Sequence, residues 1–430
     1  MINEEIIDLE SLSEDRYERQ KRLPWFEQER LEKSRTLVVG AGTLGNEICK
    51  NLALIGVGEI WLIDIDIVER VNLNRSILMR EDDIGTRKID ALKKHIENVN
   101  SDVSVYGINA DVIWDVGAGF YKDFDVVISG LDGREARVYL NRYCYMVGTP
   151  LVDGAIEGLK GSVQVIMPPH TPCYECTFSD LDYKLLNIRY SCPGLPIAAM
   201  KAGKVPMIAT TSSIIAGVQV QEALKIIHGI DSSLAGKKFY FDGSLNETIT
   251  YSIKKRELCT GHYFLYDNDV SLVNSHRGID QTAGELKNEL KDKFAGEFNS
   301  KGEFNKDGEF NKEDNFTDIN ESENFNADNL KNGEINLMHD HEIAYGSECL
   351  KCGYKREFIK LLGRVDESDA ICPGCGSLLR FDTSTEMKHD DITLRDYCVP
   401  HFAILRARYG DNFYFISLNS GRDDILRDLG

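Results

Sequence analysis

No apolar run in this chain approaches the ~20 residues a helix needs to cross a bilayer, which excludes a helical membrane protein. The opening residues, Met1-Ile2-Asn3-Glu4-Glu5, carry neither the basic nor the apolar part of a secretory signal, so a cytoplasmic protein is expected. Positive charge is also short: 50 Lys and Arg stand against 70 Asp and Glu, a formal net charge of −20. That balance argues against non-specific nucleic-acid binding, and neither nucleic acid nor membrane is expected as a partner. The acidity is uneven. Residues 1–15 hold six acids and no base, and residues 284–342 hold sixteen acids against seven bases. The remainder is close to neutral, and 42% apolar content over 430 residues allows two or three domains with a sizeable main core.

From 35 to about 155 the pattern alternates. Strands are expected at 35–39, 59–64, 102–107, 124–128 and 150–155, with helices at 43–55, 86–99 and 134–147. Such alternation predicts a mainly parallel sheet covered by helices, an α/β Rossmann-like unit with ligand at the carboxyl ends of the strands. A helix over 12–33 precedes it. Further strands at 161–167, 238–242 and 248–253 flank a long helix at 206–228, whose apolar spacing (Met207, Ile208, Ile214, Ile215, Val218, Leu224) reads as core packing.

The chemistry begins at Gly40-Ala41-Gly42-Thr43-Leu44-Gly45, a glycine turn between a strand and a helix, where backbone N–H groups attract phosphate. Asp64, 19 positions after Gly45 at the end of the next strand, suits a ribose hydroxyl. A nicotinamide or flavin enzyme would share both features. Arg75, within Asn72-Leu73-Asn74-Arg75, and Lys88 add positive charge of the kind required when a triphosphate is cleaved between its α and β groups. Either cation alone reads as a solvated surface residue; the two together favour ATP. Asp132, ending the strand-like 127–132, lies where a magnesium ligand is expected.

Over 12–262 these motifs resemble the family that adenylates the C-terminal glycine of ubiquitin-like proteins, which includes the molybdopterin and thiamine sulfur-carrier activators and the ubiquitin-activating enzymes. Its Arg-Tyr-x-Arg-Gln opening stands here as Arg16-Tyr17-Glu18-Arg19-Gln20. The resemblance implies ATP binding by Gly40, Gly42, Thr43, Gly45, Asp64, Asn72, Arg75 and Lys88, with magnesium at Asp132. It also implies an arginine finger, Arg16, reaching the neighbouring subunit of a homodimer. A crossover segment, 177–205, would carry the acyl-accepting thiol at Cys192, with Arg189, Lys201 and Lys204 able to favour the thiolate. A loop cysteine without a role is the other reading, and Pro193 stands where ubiquitin activators often place threonine.

Eleven cysteines in a cytoplasmic chain point to metal or thiol chemistry rather than a disulfide framework. Cys349-x2-Cys352 and Cys372-x2-Cys375, each followed by glycine, have the spacing of a closed structural zinc site, an iron centre of like geometry being the alternative. Cys173 and Cys176 match the family's first zinc pair. Cys259 and His262 would complete that site, with histidine where the family usually has cysteine; otherwise these are buried thiols. Cys49 and Cys144 fall in helices and are expected to be packed.

The composition changes after about 275. Gly-Glu-Phe-Asn recurs at 296–299, 302–305 and 308–311. Three copies without β-branched residues cannot bury a core, so 276–340 is expected to be a flexible linker. A zinc ribbon at 341–382 and a small β-grasp-like module at 383–430, read as a short helix and a hairpin, complete the expected organisation. Ubiquitin activators end in a module of that kind that recruits a conjugating enzyme. The expected function is therefore adenylation of a ubiquitin-like protein, thioester formation on Cys192 and delivery to a conjugating enzyme. The rivals are a sulfur-carrier adenylyltransferase, an oxidoreductase and a non-enzymatic zinc-ribbon adaptor.

Overall fold

A computed structural model describes residues 15–179, 181–183, 206–262, 265, 272–275, 278–301, 335–409, 412–418 and 421–430. Residues 1–14, the crossover from 184 to 205 with Cys192, and the linker from 302 to 334 lie outside these. The chain forms two compact units. One comprises Met1–Arg189, Leu195–Asp267 and Gly421–Gly430, the other Tyr190–Gly194 and Asn268–Ser420.

In the first unit, α1 (Glu18–Lys21) and α2 (Gln28–Lys33) replace the single expected helix over 12–33. Pro24 lies between them: it cannot donate a backbone N–H, and it disfavours helical geometry in Leu23. Then come β1 (Arg35–Val39), α3 (Thr43–Ile55), β2 (Glu59–Ile63), α4 (Lys88–Val99), β3 (Ser104–Ile108), β4 (Val126–Ser129) and α5 (Arg134–Val147). The unit continues with β5 (Leu151–Glu157), β6 (Lys160–Ile166), α6 (Ala209–Ile227), β7 (Lys237–Asp242) and β8 (Glu247–Ser252). The sheet order is β3-β2-β1-β4-β5-β6-β7-β8. From β3 through β5 neighbours run parallel, and from β5 to β8 they run antiparallel.

Physical pattern explains the layers. Val126–Ser129 is buried at every position, as expected of a parallel strand covered on both faces. Apolar side chains of α3 and α6 pack into one continuous core with β1, β4, β5 and β6, among them Ile48, Leu52, Val38, Ile128, Val152, Val163, Ile215 and Val220. Within that core Gln219 donates to the carbonyls of Ser129 (2.8 Å) and Val152 (3.2 Å), fixing α6 across two strands. Cys49 and Cys144 are fully buried, in line with packing roles. The order reverses between β1 and β4, and the crevice at such a switch point is where this architecture binds ligands.

The second unit corrects the expected boundaries. Its sheet runs β11-β10-β13-β14-β9, with β12 also paired to β10. The strands are β9 (Leu272–Ser275), β10 (Ile335–Glu348), β11 (Lys355–Leu361), β12 (Arg380–Glu386), β13 (Ile404–Tyr409) and β14 (Asn412–Leu418), with α7 spanning Ala283–Lys301. The expected hairpin is present as β13–β14, but 383–430 does not close a module alone. One hairpin buries too little, and β13 and β14 pair instead with 335–338 and 272–275. The expected linker, 276–340, is likewise structured at both ends. Ala283, Leu286 and Leu290 bury one face of α7, and Ile335 and Leu337 are buried in β10, apolar positions that the surrounding acidity conceals. The short helix expected near 392–396 is a series of turns. A last helix, α8 (Arg422–Leu429), belongs to the first unit. Among the described residues no helix is long and apolar enough to cross a membrane.

Candidate functional site

A cavity of about 450 Å³ opens at the carboxyl ends of β1, β2 and β4, and its walls include Gly40, Gly42, Thr43, Asp64, Asn72, Arg75, Lys88 and Asp132. Residues chosen from separate stretches of sequence thus converge on one space. Gly40 turns the chain out of β1 at φ 94°, and a Cβ there would meet the Gly130 carbonyl at 3.0 Å. Gly45 lies beneath the cavity: a Cβ would stand 2.0 Å from the Gly40 oxygen, so glycine permits the close approach of α3 to the loop. Gly42 caps α3 without a side-chain hydrogen bond, leaving first-turn N–H groups available to an anion.

Asp64 accepts from the backbone N–H of Ala41 (2.6 Å) and of Asp66 (2.7 Å). Burial nevertheless pushes its carboxyl above the ordinary range, against the opposing field of Lys88 and those two donors. Lys88, at the start of α4, donates to Asp66 at 2.7 Å. Arg75 donates to Asn74 Oδ1 at 2.9 Å and to the Val71 carbonyl, and its buried Nε has no partner. Asn72 Oδ1 accepts from the Glu69 N–H at 2.8 Å, closing the turn that presents Arg75. Arg75 and Lys88, with a set of backbone donors around the same cavity, can stabilise a polyphosphate, and the carboxylates of Asp132 and Asp111 on the same walls offer oxygen donors to a hard cation.

Arg16 is not part of this cavity. It is exposed, with Nη1 3.5 Å from the Val99 carbonyl. Several wall residues escaped sequence reading. Arg137 donates from Nε to the Leu131 carbonyl at 3.0 Å and approaches Asp153 at 3.5 Å, so it holds the backbone just before Asp132. Its signal was a charged residue on the first turn of α5, directly after the strand that ends at the site. The loop 110–113 also lines the cavity, and its signal was position at the carboxyl end of β3.

Two groups of metal-competent side chains converge among the described residues. Cys173, Cys176, Cys259 and His262 place all ligand atoms within 4.8 Å of one another, with Cys173 and Cys259 sulfurs 3.6 Å apart and Cys176 Sγ 3.1 Å from His262 Nε2. Surrounding contacts fix these ligands. Buried Glu175 accepts two hydrogen bonds from Arg142, each at 2.8 Å, and Tyr145 stacks on His262 at 5.0 Å. Soft sulfur donors and one imidazole at that separation fit tetrahedral zinc.

The second group is Cys349, Cys352, Cys372 and Cys375, again within 4.8 Å. Its two knuckles are built alike. The Cys349 and Cys372 N–H groups donate to Tyr354 and Ser377, and Gly353 and Gly376, at φ 75° and 69°, donate back to Cys349 and Cys372. A four-sulfur closed cage holds structure rather than substrate, and zinc fits it.

The family model described as "ThiF family" matches residues 17–261. The SAMP-activating enzyme E1 of Haloferax volcanii is 34% identical over 236 residues, covering 52% of this chain and 79% of that protein. The adenylyltransferase and sulfurtransferase MOCS3 of Culex quinquefasciatus is 31% identical over 214 residues, 50% of this chain and 46% of its own length. The NEDD8-activating enzyme E1 catalytic subunit of Arabidopsis thaliana is 40% identical over 156 residues, 33% of this chain and 34% of its own. The chain thus spans less than half the length of the latter two relatives. A crystal structure of E. coli MccB with ATP is 22% identical with a TM-score of 0.49, covering 59% of this chain and 75% of that one.

Proposed function

Because the chain belongs to the ThiF family of E1-like adenylyltransferases, we propose that it adenylates the C-terminal glycine of a ubiquitin-like protein and then passes the acyl group through a thioester on Cys192 to a conjugating enzyme. The observation that carries the first step is the convergence of Gly40, Gly42, Thr43, Asp64, Asn72, Arg75, Lys88 and Asp132 on one cavity. The thioester rests on sequence alone.

The substrate carboxylate is ionised near neutral pH and needs no general base. One carboxylate oxygen attacks the α-phosphorus of ATP, the α–β bridging P–O bond breaks, and pyrophosphate leaves with its electron pair. The α3 N-terminus, Arg75 and Lys88 offset the charge that grows on the phosphates. Asp64 accepts from a ribose hydroxyl. Magnesium, when bound, supplies further charge neutralisation, and Asp132 would hold it. Arg137, by fixing Leu131, orients that carboxylate. In the second step the Cys192 thiolate attacks the acyl carbonyl, a C–S bond forms, and AMP departs.

Arg16 cannot assist within its own chain from beside Val99, so its role as a finger requires a homodimer. Exposed Ile65, Ile67, Val71 and Ile77, around the turn that carries Arg75, offer an apolar surface for a second subunit. Zinc at the first group would tie the turn at Cys173 and Cys176 to the chain around Cys259 and His262, and zinc at the second would join the two knuckles at Cys349 and Cys372. A second reading, activation of a sulfur carrier with formation of a thiocarboxylate, is favoured by the relatives named adenylyltransferase and sulfurtransferase.

The test is ATP–pyrophosphate exchange driven by a ubiquitin-like protein ending in glycine. Asp132→Ala should lower exchange at least ~100-fold while the protein remains folded. Near-normal exchange would remove Asp132 from the metal site. Cys192→Ala should retain exchange and lose the thiol-sensitive adduct; a persisting adduct would place the nucleophile elsewhere.

A further inference from the structure

The last helix is remote in sequence from every residue of the cavity, yet it grips both elements that flank it. α8 starts at Gly421, whose N–H donates to Asp424 at 2.9 Å, and carries Asp423 and Asp424 in its first turn and Arg427 in its last. These placements complement the helix dipole. Ile425 is completely buried. At one end Arg422 lies 5.7 Å over the ring of Trp61, which is itself packed on Tyr106 at 4.5 Å, and it meets Asp123 at 3.4 Å. At the other end the N–H of Asn109 donates to the Leu429 carbonyl at 2.6 Å, and Arg87 Nη1 donates to Gly430 O at 3.0 Å.

Asn109 and Arg87 each lead directly into the cavity wall. Arg87 is the N-cap of α4, immediately before Lys88. Asn109 precedes 110–113, the loop that walls the cavity after β3. We propose that α8 is a positioning element of the nucleotide site, holding the Arg87–Lys88 helix start and the loop after Asn109 at the separation that ATP requires. This rests on the reading of the cavity as a nucleotide site. It makes the second unit an insertion between segments of the adenylation unit, since the chain leaves that unit after Asp267 and re-enters it at Gly421.

The experiment uses the full chain and ATP itself as the probe. In Ile425→Asp a carboxylate cannot occupy the buried site, so α8 should detach; Asn109 should lose amide-exchange protection and ATP affinity should fall about tenfold. The metal content and melting of the second unit should not change, and Ile425→Leu should bind ATP as the wild type does. Unchanged ATP affinity in Ile425→Asp, with Asn109 deprotected, would overturn the proposal. Should Ile425→Asp fail to fold, Arg422→Gln, which removes that side chain's contacts to Trp61, Asp123 and Glu59, carries the same expectation in smaller degree, and affinity equal to wild type with Asn109 deprotected would again overturn it. A wild-type chain that does not bind ATP would overturn the nucleotide-site reading and the proposal with it.

Discussion

The two sheets of this protein are made in opposite ways. In the first, β1, β2 and β3 follow one another through α3 and α4, and β4 and β5 through α5, and most side chains of the cavity stand at strand ends and helix starts. In the second, β9 pairs with β14 from the far end of the chain, Phe415 lying opposite Leu272 and Leu418 opposite Ser275, and β10 serves three partners in turn. Along β10 the register slips between Met338 and Ile343, so residues 339–342 stand outside the regular ladder. The difference is one of cost. Closing long loops takes conformational entropy before any contact repays it, and a metal knuckle supplies binding free energy that a modest core cannot. Both units carry a metal-competent group; the first has a large packed core beside it, whereas the second, with less core, has more to gain from metal at its knuckles.

The strongest way to break that contrast is to injure each unit at its own support. Lys88→Ala should lower ATP–pyrophosphate exchange 10²–10³-fold and leave zinc content and both melting transitions as they were. Cys349→Ser with Cys375→Ser should do the converse: one zinc is lost, the second unit no longer melts cooperatively, and exchange stays within about twofold. Metal analysis, calorimetry and exchange on the two proteins decide it. Loss of exchange in the cysteine variant would show that the adenylation unit depends on its inserted neighbour, and the contrast would fail.

A smaller effect separates the units by pH. His339, in the irregular stretch of β10, is buried, and burial pulls it down to about 3, with His341 and Arg406 acting in the same direction. In the unfolded chain it takes a proton below about 6.5, whereas the folded unit refuses it until about pH 3. Stability present at neutral pH is therefore lost as pH falls below 6.5. At pH 5.5 the loss is about 1.4 kcal/mol, or roughly 4 °C in Tm for a unit of this size. Neighbouring Asp340, whose carboxyl burial raises to about 6, gains stability over the same range and acts on wild type and variant alike; scanning calorimetry at pH 7 and 5.5 should therefore show the second transition of the wild type falling by that much more than that of His339→Gln. Equal slopes in the variant and the wild type would show that His339 is not the group responsible.

The same contrast governs what the amino-acid order reveals. The places of Gly40, Asp64, Lys88 and Asp132 on the cavity wall were readable because a strand–turn–helix unit fixes where its ends fall, and each residue sits at or just past such an end; Arg75, in the loop between β2 and α4, was legible only through its charge beside Asn72 and Asn74. Even the knuckles at Cys349 and Cys372 are local. The partners of the hairpin β13–β14 were not readable. Nothing near Ile404 or Phe415 specifies that the pairing strands lie at 335 and 272. Charge misled as well: Leu286, Leu290, Ile335 and Leu337 are spaced to bury one face, but they stand in a stretch dominated by acids. The helix α8 had a usable signal, Ile425, Leu426 and Leu429 after an acidic first turn, yet nothing local shows that it packs beside β3. Arg137 was legible as a helix-start charge and hidden as a wall residue, because its role is to hold a carbonyl rather than a ligand.

The smallest predicted effect tests whether the first unit is built for stability or for its cavity. Burial raises the Asp64 carboxyl above its ordinary pKa, and the contributions of Lys88 and the Ala41 and Asp66 N–H groups do not fully offset this. A carboxyl whose folded pKa is raised is held ionised at neutral pH against the preference of the fold; stability is gained as pH falls toward that pKa, not lost. Asp64→Asn removes the charge and keeps the shape and an acceptor. The adenylation unit should then melt slightly higher at pH 7, with the gain shrinking as pH drops through the raised pKa. ATP affinity should fall about tenfold or more, because a charged acceptor for the ribose hydroxyl is replaced by a neutral one. The two measurements must move in opposite directions. If Asp64→Asn lowers Tm instead, the Ala41 and Asp66 hydrogen bonds outweigh burial, and Asp64 is a support of the glycine turn before it is a contact for nucleotide.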